Sequence, residues 1–278
     1  MGRTSQALNE GPLLNLKLTS LQERFGGCAA NVAYNLAHLG AAPLLCAPIG
    51  EGASAAHLEH LERASVDLSA LMYLPDTGGA QAFIFTDPNG VQLTAFYPGP
   101  LPASERWQAH LAELPWERVD CFVQTPEAVP LMLTGLAAAR RTGIAQVVWC
   151  PGQYAEQLSD DDVTVALENC DCVVGHQREL QYFSNVLGAF PDRHIVCTAG
   201  SDPVTVLRSG RELVRFEVPA TPSVDPTGCG DAFLAGFLQH WRQTAFSAET
   251  ELVQAAVSAG VDLARLCLQR NGGQGHLG

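Results

Sequence analysis

Asp231 directly follows three small residues in the stretch VDPTGCGDAF, residues 224–233. These three are Gly228, Cys229 and Gly230, and the apolar residues after them recur at the spacing of a buried helix. Free N–H groups at the start of that helix, with its dipole, form an anion site that needs no lysine. A carboxylate beside a bound anion is unfavourable unless it has a task, such as taking a proton from an attacking hydroxyl. The alternative is that Asp231 only complements the helix dipole.

A second glycine-rich turn lies in the stretch FGGCAANVAYNLAHLG, residues 25–40. Apolar residues recur at helical spacing after Gly26 and Gly27, so a helix is predicted to begin there. Glycine lets the backbone approach another group closely, and Asn31 then lies in the first turn of the helix. The Asn31 amide offers a donor and an acceptor to a polyol. A plain glycine-rich turn with an asparagine near the helix start is an equally good interpretation of this stretch alone.

The charge pattern of the chain excludes several classes of protein. The 278 residues carry a formal net charge of −13, and Lys17 is the only lysine. A nucleic-acid-binding surface needs a basic stripe, and a P-loop needs a lysine after its glycines. We therefore expect no nucleic-acid partner, and any phosphate must be bound by backbone N–H groups, arginine or a metal. His57 and His60 have the spacing of metal ligands, but a solvated helix face is the favoured interpretation.

The order of predicted elements is that of an α/β protein with one continuous domain over residues 1–278. Several strand-like runs are apolar throughout, as expected for parallel strands covered on both faces. These runs are PLLCAPIG, DCFVQT, AQVVWC, CDCVVG, HIVCTAG and PVTVLRSG. Helices are predicted at 28–39, 54–64, 104–113, 128–142, 160–169, 230–243 and 248–269. No apolar run reaches the roughly 20 residues of a membrane span and no signal pattern is present, so a cytoplasmic protein without a membrane partner is expected.

One region interrupts this alternation of strands and helices. Residues 79–99 contain two strand-like runs joined by an Asp-Pro-Asn-Gly turn, which is a strong hairpin signal. Residues 13–25 alternate apolar and polar residues at their start and are predicted to pair with that hairpin. A small β element inserted into an α/β body favours a lid over a site, formed here by residues 13–25 and 79–98. A hairpin that only packs at a sheet edge is the alternative.

The two glycine-rich turns, in this order and at this separation, resemble the signatures of the ribokinase-like (PfkB) carbohydrate and nucleoside kinases. VDPTGCGDAF is similar to that family's D-T-x-G-A-G-D turn, with Cys229 in place of the alanine. The resemblance implies a three-layer, doubly wound, mostly parallel sheet. It also implies that Asp231 is the catalytic base. The other implied site residues are Gly228, Cys229 and Gly230 in the anion hole, and Gly26, Gly27 and Asn31 facing the phosphate acceptor.

Shorter matches resemble the bacterial adenosine-kinase-like members, namely TAFYPG after the hairpin, PGQ at 151–153 and NGGQGH at 271–276. The resemblance implies a kinase that uses ATP and Mg²⁺ and acts on a nucleoside, with the adenosine 5′-hydroxyl as the expected acceptor. A sugar kinase of the same family and a ligand-binding relative without turnover are the alternatives. A monomer and a homodimer through the lid both fit the resemblance. It assigns Thr198, Gly200, Asp225, Thr227, Gly273 and His276 to ATP, and Glu179 to Mg²⁺ through water.

The sequence departs from the family pattern at four places. The family begins with a strand whose aspartate binds substrate hydroxyls, and by resemblance this sequence starts after that strand. A longer form is therefore expected to be more stable and more active. The family's Asn-x-x-Glu reads His176-x-x-Glu179 here, and Cys150 stands where related kinases have aspartate before PGQ. Pro203 stands in place of a second glycine after Gly200.

Overall fold

The computed structural model describes residues 18–86 and 92–277 of the chain. Its strands are β1 (Ala47–Gly52), β2 (Leu71–Gly78), β3 (Gln81–Thr86), β4 (Gln92–Tyr97), β5 (Cys121–Gln124), β6 (Gln146–Trp149), β7 (Cys172–His176), β8 (His194–Ala199), β9 (Asp202–Arg208) and β10 (Arg211–Phe216). Six of them form the central sheet in the order β10–β9–β8–β7–β6–β5. Neighbours from β5 to β8 are parallel, whereas β9 and β10 are antiparallel additions at one edge. The prediction of a mostly parallel sheet is confirmed.

The helices alternate with the parallel strands along the chain. They are α1 (Cys28–His38), α2 (Ala55–Arg63), α3 (Ser104–Ala112), α4 (Val129–Thr142), α5 (Asp160–Glu168), the single turns α6 (Gln177–Leu180) and α7 (Ser184–Leu187), α8 (Cys229–Gln243) and α9 (Thr250–Leu268). All but the two single turns were predicted from apolar periodicity to within two residues at each end. Within the described ranges, no helix combines the length and the apolar character that crossing a membrane requires.

Helices cover both faces of the sheet because successive residues of a strand point to opposite sides. Val148 of β6 and Val196 of β8 are buried in one core with Phe237 of α8 and with α9. Trp149 and Ile195, the neighbours of those two valines, are buried in a second core with α4 and α5. These two cores make the fold a three-layer, doubly wound α/β structure, as predicted.

Two small sheets lie apart from the central one. β1 and β2 pair in parallel, and β3 and β4 form an antiparallel pair with Gln81 opposite Tyr97. The Asp-Pro-Asn-Gly turn predicted between β3 and β4 falls in residues 87–91, outside the described residues. Large apolar side chains on the pair remain about half exposed, namely Phe83, Ile84, Leu93, Phe96 and Tyr97.

The structure differs from the sequence prediction at three segments. Residues 18–25 contain no strand and do not pair with β3 or β4, while residues 13–17 lie outside the described residues. The apolar alternation ends at Leu18, and Leu18 and Leu21 are 47% and 85% exposed, so these two side chains bury no apolar face against a sheet. β2 was not predicted because Pro75 interrupts its apolar run. β10 was not predicted because charged residues make up half of its sequence, RELVRF.

Candidate active site

Both glycine-rich turns begin a helix with a glycine at the N-cap. Gly27 precedes α1 with a φ of 98°, and Gly228 precedes α8 with a φ of 81°. This region of backbone conformation is open to glycine and strained for residues with a Cβ. Because α1 and α8 pack against each other, the two turns lie side by side although about 200 residues separate them.

Asn31 and Asp231 are in direct contact. Asn31 Nδ2 donates a hydrogen bond to Asp231 Oδ2 at 2.8 Å. The backbone N–H of Asn31 donates to the carbonyl of Gly27, also at 2.8 Å, which fixes the residue in the first turn of α1. The residue predicted to face the acceptor and the residue predicted to be the base therefore belong to one site. Transfer of a single group between two bound molecules requires such proximity.

The Asp231 carboxyl is enclosed by protein atoms, and this burial raises its pKa to about 6. Hydrogen bonds from Asn31 and from the Cys28 thiol act in the opposite direction, while the charge of Glu179 adds to the rise. Burial and the neighbouring Asp231 charge raise the pKa of Cys28, which keeps this thiol protonated as a donor. A carboxyl group with a pKa near neutrality is suited to take up and release a proton at physiological pH.

The start of α8 presents backbone N–H groups next to Asp231. The N–H of Cys229 donates to the carbonyl of Pro226 at 3.2 Å. Within the described residues, the N–H groups of Gly228 and Gly230 have no hydrogen-bond partner. A Cβ added at Gly230 would meet nothing within 4 Å, so the space beside this N–H group is open. Of the three predicted anion-hole residues, the two glycines thus offer free donors to an anion.

The C-terminal turn lies against both helix starts. Gly272 N–H donates to one carboxylate oxygen of Asp225 at 2.9 Å, and Thr227 N–H donates to the other at the same distance. Burial favours the neutral form of Asp225, but these hydrogen bonds outweigh it and lower the pKa of the carboxyl. A Cβ added at Gly273 would lie 2.7 Å from the amide nitrogen of Asn31, and one added at Gly228 would overlap Gly273. The turn thus requires glycine at both positions.

A network of buried amides continues from this turn into α1. Gln274 Nε2 donates to Asn31 Oδ1 at 2.9 Å. Asn35 Nδ2 donates to the carbonyls of Asn31 and Gly273, at 2.8 and 3.4 Å, and Asn35 Oδ1 lies 2.7 Å from His276 Nε2. Sequence reasoning included Gln274 only as part of the NGGQGH match and missed Asn35. Asn35 carried a signal, because it lies one turn after Asn31 on the buried face of α1.

Glu179 lies in the first turn of α6, after β7. Its Oε2 accepts a hydrogen bond from His176 N–H at 2.8 Å, and His176 Nδ1 accepts one from Arg178 N–H at 3.1 Å. His176 therefore acts as the helix N-cap, a role that asparagine commonly takes, so this departure from the family pattern preserves the local structure. The charge of Glu179 raises the pKa of both Asp231 and Cys150, which indicates that Glu179 lies near these two residues.

Thr198 and Gly200 lie away from the amide network, at the end of β8. The Thr198 hydroxyl donates to the Gly175 carbonyl at 3.4 Å. Gly200 borders a cavity of about 430 Å³ whose rim includes Arg178 and Gln181. The structure therefore separates the six residues assigned to ATP into two groups. Gly200 lines this cavity and Thr198 lies two residues before it in β8, while Asp225, Thr227, Gly273 and His276 belong to the C-terminal turn and its contacts.

His57 and His60 do not form a solvated helix face. His57 stacks on Phe25 with ring centroids 4.9 Å apart, and His60 stacks on Tyr34 at 4.8 Å. Burial is the main cause that lowers the pKa of both histidines. Aromatic packing explains them, and the described residues hold no group of His, Cys, Asp and Glu arranged for a metal ion. The sequence could not show this, since the stacking partners come from another segment.

The geometry defines a class of protein. An enclosed carboxylate and free N–H groups at a helix start, with an amide side chain 2.8 Å from the carboxylate, suit transfer of a charged group to a hydroxyl. On a doubly wound sheet, such a site is typical of an α/β phosphotransferase. The sequence pattern described as pfkB family carbohydrate kinase matches residues 4–277. The chain belongs to this family and is a PfkB-family kinase.

Individual relatives agree with this assignment. The chain is 25% identical over 264 residues to a nucleoside kinase from Methanocaldococcus jannaschii. The aligned region covers 92% of this chain and 85% of that protein. It is 29% identical over 240 residues to an ATP-dependent ribose-1-phosphate kinase from Halopiger xanaduensis, covering 81% and 75%. The fold matches that of Burkholderia thailandensis nucleoside kinase in complex with inosine, with a TM-score of 0.82 and 23% identity over 95% of this chain and 87% of that one.

Proposed function

We propose that this kinase uses ATP to phosphorylate the hydroxymethyl group of a nucleoside, with the adenosine 5′-hydroxyl as its preferred acceptor. The observation that carries the proposal is the 2.8 Å contact between Asn31 and Asp231 beside the free N–H groups of α8. This contact joins a hydroxyl-binding amide, a base and an anion site. The similarity to proteins described as nucleoside kinases supports a nucleoside as the acceptor.

Asp231 is the proposed general base. The acceptor hydroxyl donates its proton to the Asp231 carboxylate, and Asn31 holds the carboxylate in place by its hydrogen bond. A base whose pKa lies near 6 is ionised at physiological pH and still has useful proton affinity. Asp231 therefore has a chemical task, which explains why a carboxylate lies beside an anion site.

The N–H groups of Gly228 and Gly230 are proposed to hold the phosphoryl oxygens. They fit an anion because both are free at a helix start, and the space beside Gly230 is open. When bound, ATP with Mg²⁺ supplies the transferred phosphoryl group. Thr198 and Gly200 are proposed to border the rest of the nucleotide, since the cavity of about 430 Å³ lies beside Gly200.

Glu179 is the proposed residue for Mg²⁺. Carboxylate oxygens and water are the ligands that this ion prefers. One Glu179 oxygen is bound to the N–H of His176, so the other is available to hold a metal-bound water. The influence of Glu179 on the pKa of Asp231 indicates that an ion held there would lie near the base.

The β3–β4 pair is the proposed lid. Its half-exposed apolar side chains, such as Phe83 and Phe96, offer a surface for the base of a nucleoside or for a second copy of the chain. Sedimentation analysis with and without nucleoside separates these outcomes. A dimer in both conditions would assign the exposed face to self-association, and a monomer in both would assign it to the acceptor.

The test is ADP release over a panel of acceptors: adenosine, inosine, cytidine, ribose and ribose 1-phosphate. We expect adenosine to give the highest kcat/KM. The highest value with ribose 1-phosphate would make the chain a sugar-phosphate kinase, as its similarity to the Halopiger protein would suggest. No release with any acceptor would favour a ligand-binding relative. Asp231→Asn serves as the inactive control, and Asp161→Asn, an exposed acid on α5, is the matched control.

A further inference from the structure

Gln274 is a buried polar residue that the proposed chemistry does not use. Only 6% of its surface is exposed, and its Nε2 lies 2.9 Å from Asn31 Oδ1 and 3.4 Å from His57 Nε2. Buried amides of this kind are kept where their hydrogen bonds fix a structure. Gln274 is therefore expected to hold a neighbouring side chain in one orientation.

The orientation of the Asn31 amide follows from Gln274. An ionised Asp231 only accepts hydrogen bonds, so the NH₂ group of Asn31 must face it. The amide oxygen then points away from Asp231 and needs a donor. Gln274 Nε2 supplies that donor and also lies 3.4 Å from His57 Nε2. Burial lowers the pKa of His57, and a neutral imidazole protonated at Nδ1 accepts from Gln274 at Nε2. Each hydrogen bond in the series Asp231–Asn31–Gln274–His57 thus sets the direction of the next.

The backbone of the turn that carries Gln274 is held by contacts with α1. Asn35 Nδ2 bonds the carbonyl of Gly273, and His276 bonds Asn35 from the other side. Gly273 packs so closely on Asn31 that a Cβ would displace the amide nitrogen. A rotation of the Asn31 amide would bring its oxygen towards Asp231 and its NH₂ group towards that of Gln274, so both contacts would become repulsive.

We propose that Gln274 is a positioning residue for the phosphoryl transfer, which keeps the NH₂ group of Asn31 aimed at the carboxylate of Asp231. Gln274 does not touch the reacting atoms and acts through Asn31. The proposal deepens the proposed function and rests on it. It also changes the role of the C-terminal turn, which supports the base side of the site in addition to any contact with nucleotide.

The first experiment compares Gln274→Leu with the wild type and with Gln269→Leu, an exposed glutamine five residues earlier. Loss of one buried hydrogen bond to a catalytic group is expected to lower kcat roughly tenfold, with KM for ATP unchanged. The acidic limb of the pH–rate profile should move up by about half a unit to one unit, because Asp231 loses a fixed donor. The other titratable groups that interact with Asp231 stay unchanged in the variant, namely Cys28, Cys150, Glu179, Cys229 and Cys267.

Gln274→Glu is the second variant. Its carboxylate cannot donate to Asn31 and also adds a negative charge near Asp231, so both effects should move the acidic limb further up than in Gln274→Leu. If both variants unfold at lower temperature but keep the acidic limb of the pH–rate profile at its wild-type position, Gln274 is only structural and the proposal is wrong. If Gln274→Leu fails to fold, Gln274→Met, which fills a similar volume with an unbranched chain, replaces it.

The failure of this proposal is distinguishable from that of the proposed function. If Asp231→Asn abolishes turnover and Gln274→Leu keeps the wild-type limb, the kinase mechanism stands and the role of Gln274 falls. If no acceptor is phosphorylated, the Asp231 carboxyl is titrated by NMR in the wild type and in Gln274→Leu. An upward shift of its pKa in the variant supports positioning by Gln274, and equal values overturn it.

Discussion

The two glycine-rich turns look alike in sequence but meet different physical demands. Each has a glycine with positive φ at the N-cap and no side-chain cap. A Cβ at Gly27 would meet only Ala30, at 3.8 Å, whereas a Cβ at Gly228 would overlap the backbone of Gly273. Gly27 is therefore required for backbone conformation alone. Gly228 is required for conformation and for the close approach of another segment.

The polar residues that the two turns carry differ in the same way. Asn31 is neutral and has both a donor and an acceptor satisfied, by Asp231 and by Gln274. Asp231 is an acid in the first turn of a helix, where the dipole ordinarily stabilises the charge. Burial outweighs this effect and raises its pKa to about 6. The α8 turn thus holds a charge at the expense of stability, which is typical of a functional site.

The largest expected effect is that of Asp231→Asn, which makes the α8 turn neutral like the α1 turn. We expect kcat to fall by roughly 10²–10⁴-fold, the range for loss of a general base. ATP affinity should stay the same or improve, because a negative charge beside the anion site is removed. Steady-state kinetics and ATP titration measure both. Wild-type turnover in this variant would mean that Asp231 only complements the helix dipole.

Replacement of the glycines by alanine tests the difference between the two turns. Gly228→Ala should lower the free energy of unfolding by about 2–5 kcal/mol, from left-handed strain of about 1–2 and overpacking of about 1–3. Gly27→Ala should show the strain alone, about 1–2 kcal/mol. Gly26→Ala is the control, because its φ is not positive and a Cβ there meets nothing within 4 Å. Equal losses for Gly228→Ala and Gly27→Ala in urea unfolding would remove the proposed difference between the turns.

Local patterns predicted most of the fold, because helix periodicity is a property of short segments. The helix that begins at Gly228 and the pairing of β3 with β4 follow directly from such patterns. β2 was not predictable in this way, since Pro75 interrupts its apolar run and burial by α3 and α4 stabilises it. Its strand character depends on tertiary packing, which overrides local propensity.

The residues of the candidate site likewise fall into those that local patterns predicted and those that they did not. Asp231, Asn31 and the glycines were predicted, because each lies at a helix start that the sequence marks. Cys28 and Gln274 were not predicted as parts of the base environment. Gln274 meets Asn31 across 243 residues of chain, and no local pattern encodes that contact. The contact follows from the folded positions of α1 and the C-terminal turn.

The pH dependence of stability tests the charge difference between the turns. Burial raises the pKa of Asp231 from its ordinary 3.8 to about 6, so its contribution to stability is full below pH 4 and is lost as the pH rises through 6. Over that window the wild type should lose about 3 kcal/mol relative to Asp231→Asn, at 1.36 kcal/mol per unit of pKa. Urea unfolding of both proteins from pH 4 to pH 8 measures the difference. If the free energies of unfolding of the two proteins change in parallel with pH, burial does not destabilise the ionised Asp231 carboxyl.

The smallest expected effect concerns Glu179, whose charge is the weakest contribution to the raised pKa of Asp231. Glu179→Gln keeps the volume and the acceptor for His176 N–H, so the N-terminus of α6 remains capped. Removal of the charge should move the acidic limb of the pH–rate profile down by a few tenths of a unit, because Asp231 then ionises more readily. Glu168→Gln, at the exposed end of α5, controls for the change in net charge.

The same Glu179→Gln variant separates two roles of this carboxylate. If Glu179 holds a metal-bound water, the Mg²⁺ concentration for half-maximal rate should rise together with the shift of the limb. A shifted limb with an unchanged Mg²⁺ requirement would restrict Glu179 to its electrostatic effect on Asp231. An unchanged limb would contradict the coupling between the two carboxylates, and burial together with the α1 contacts would then account for the whole environment of the base.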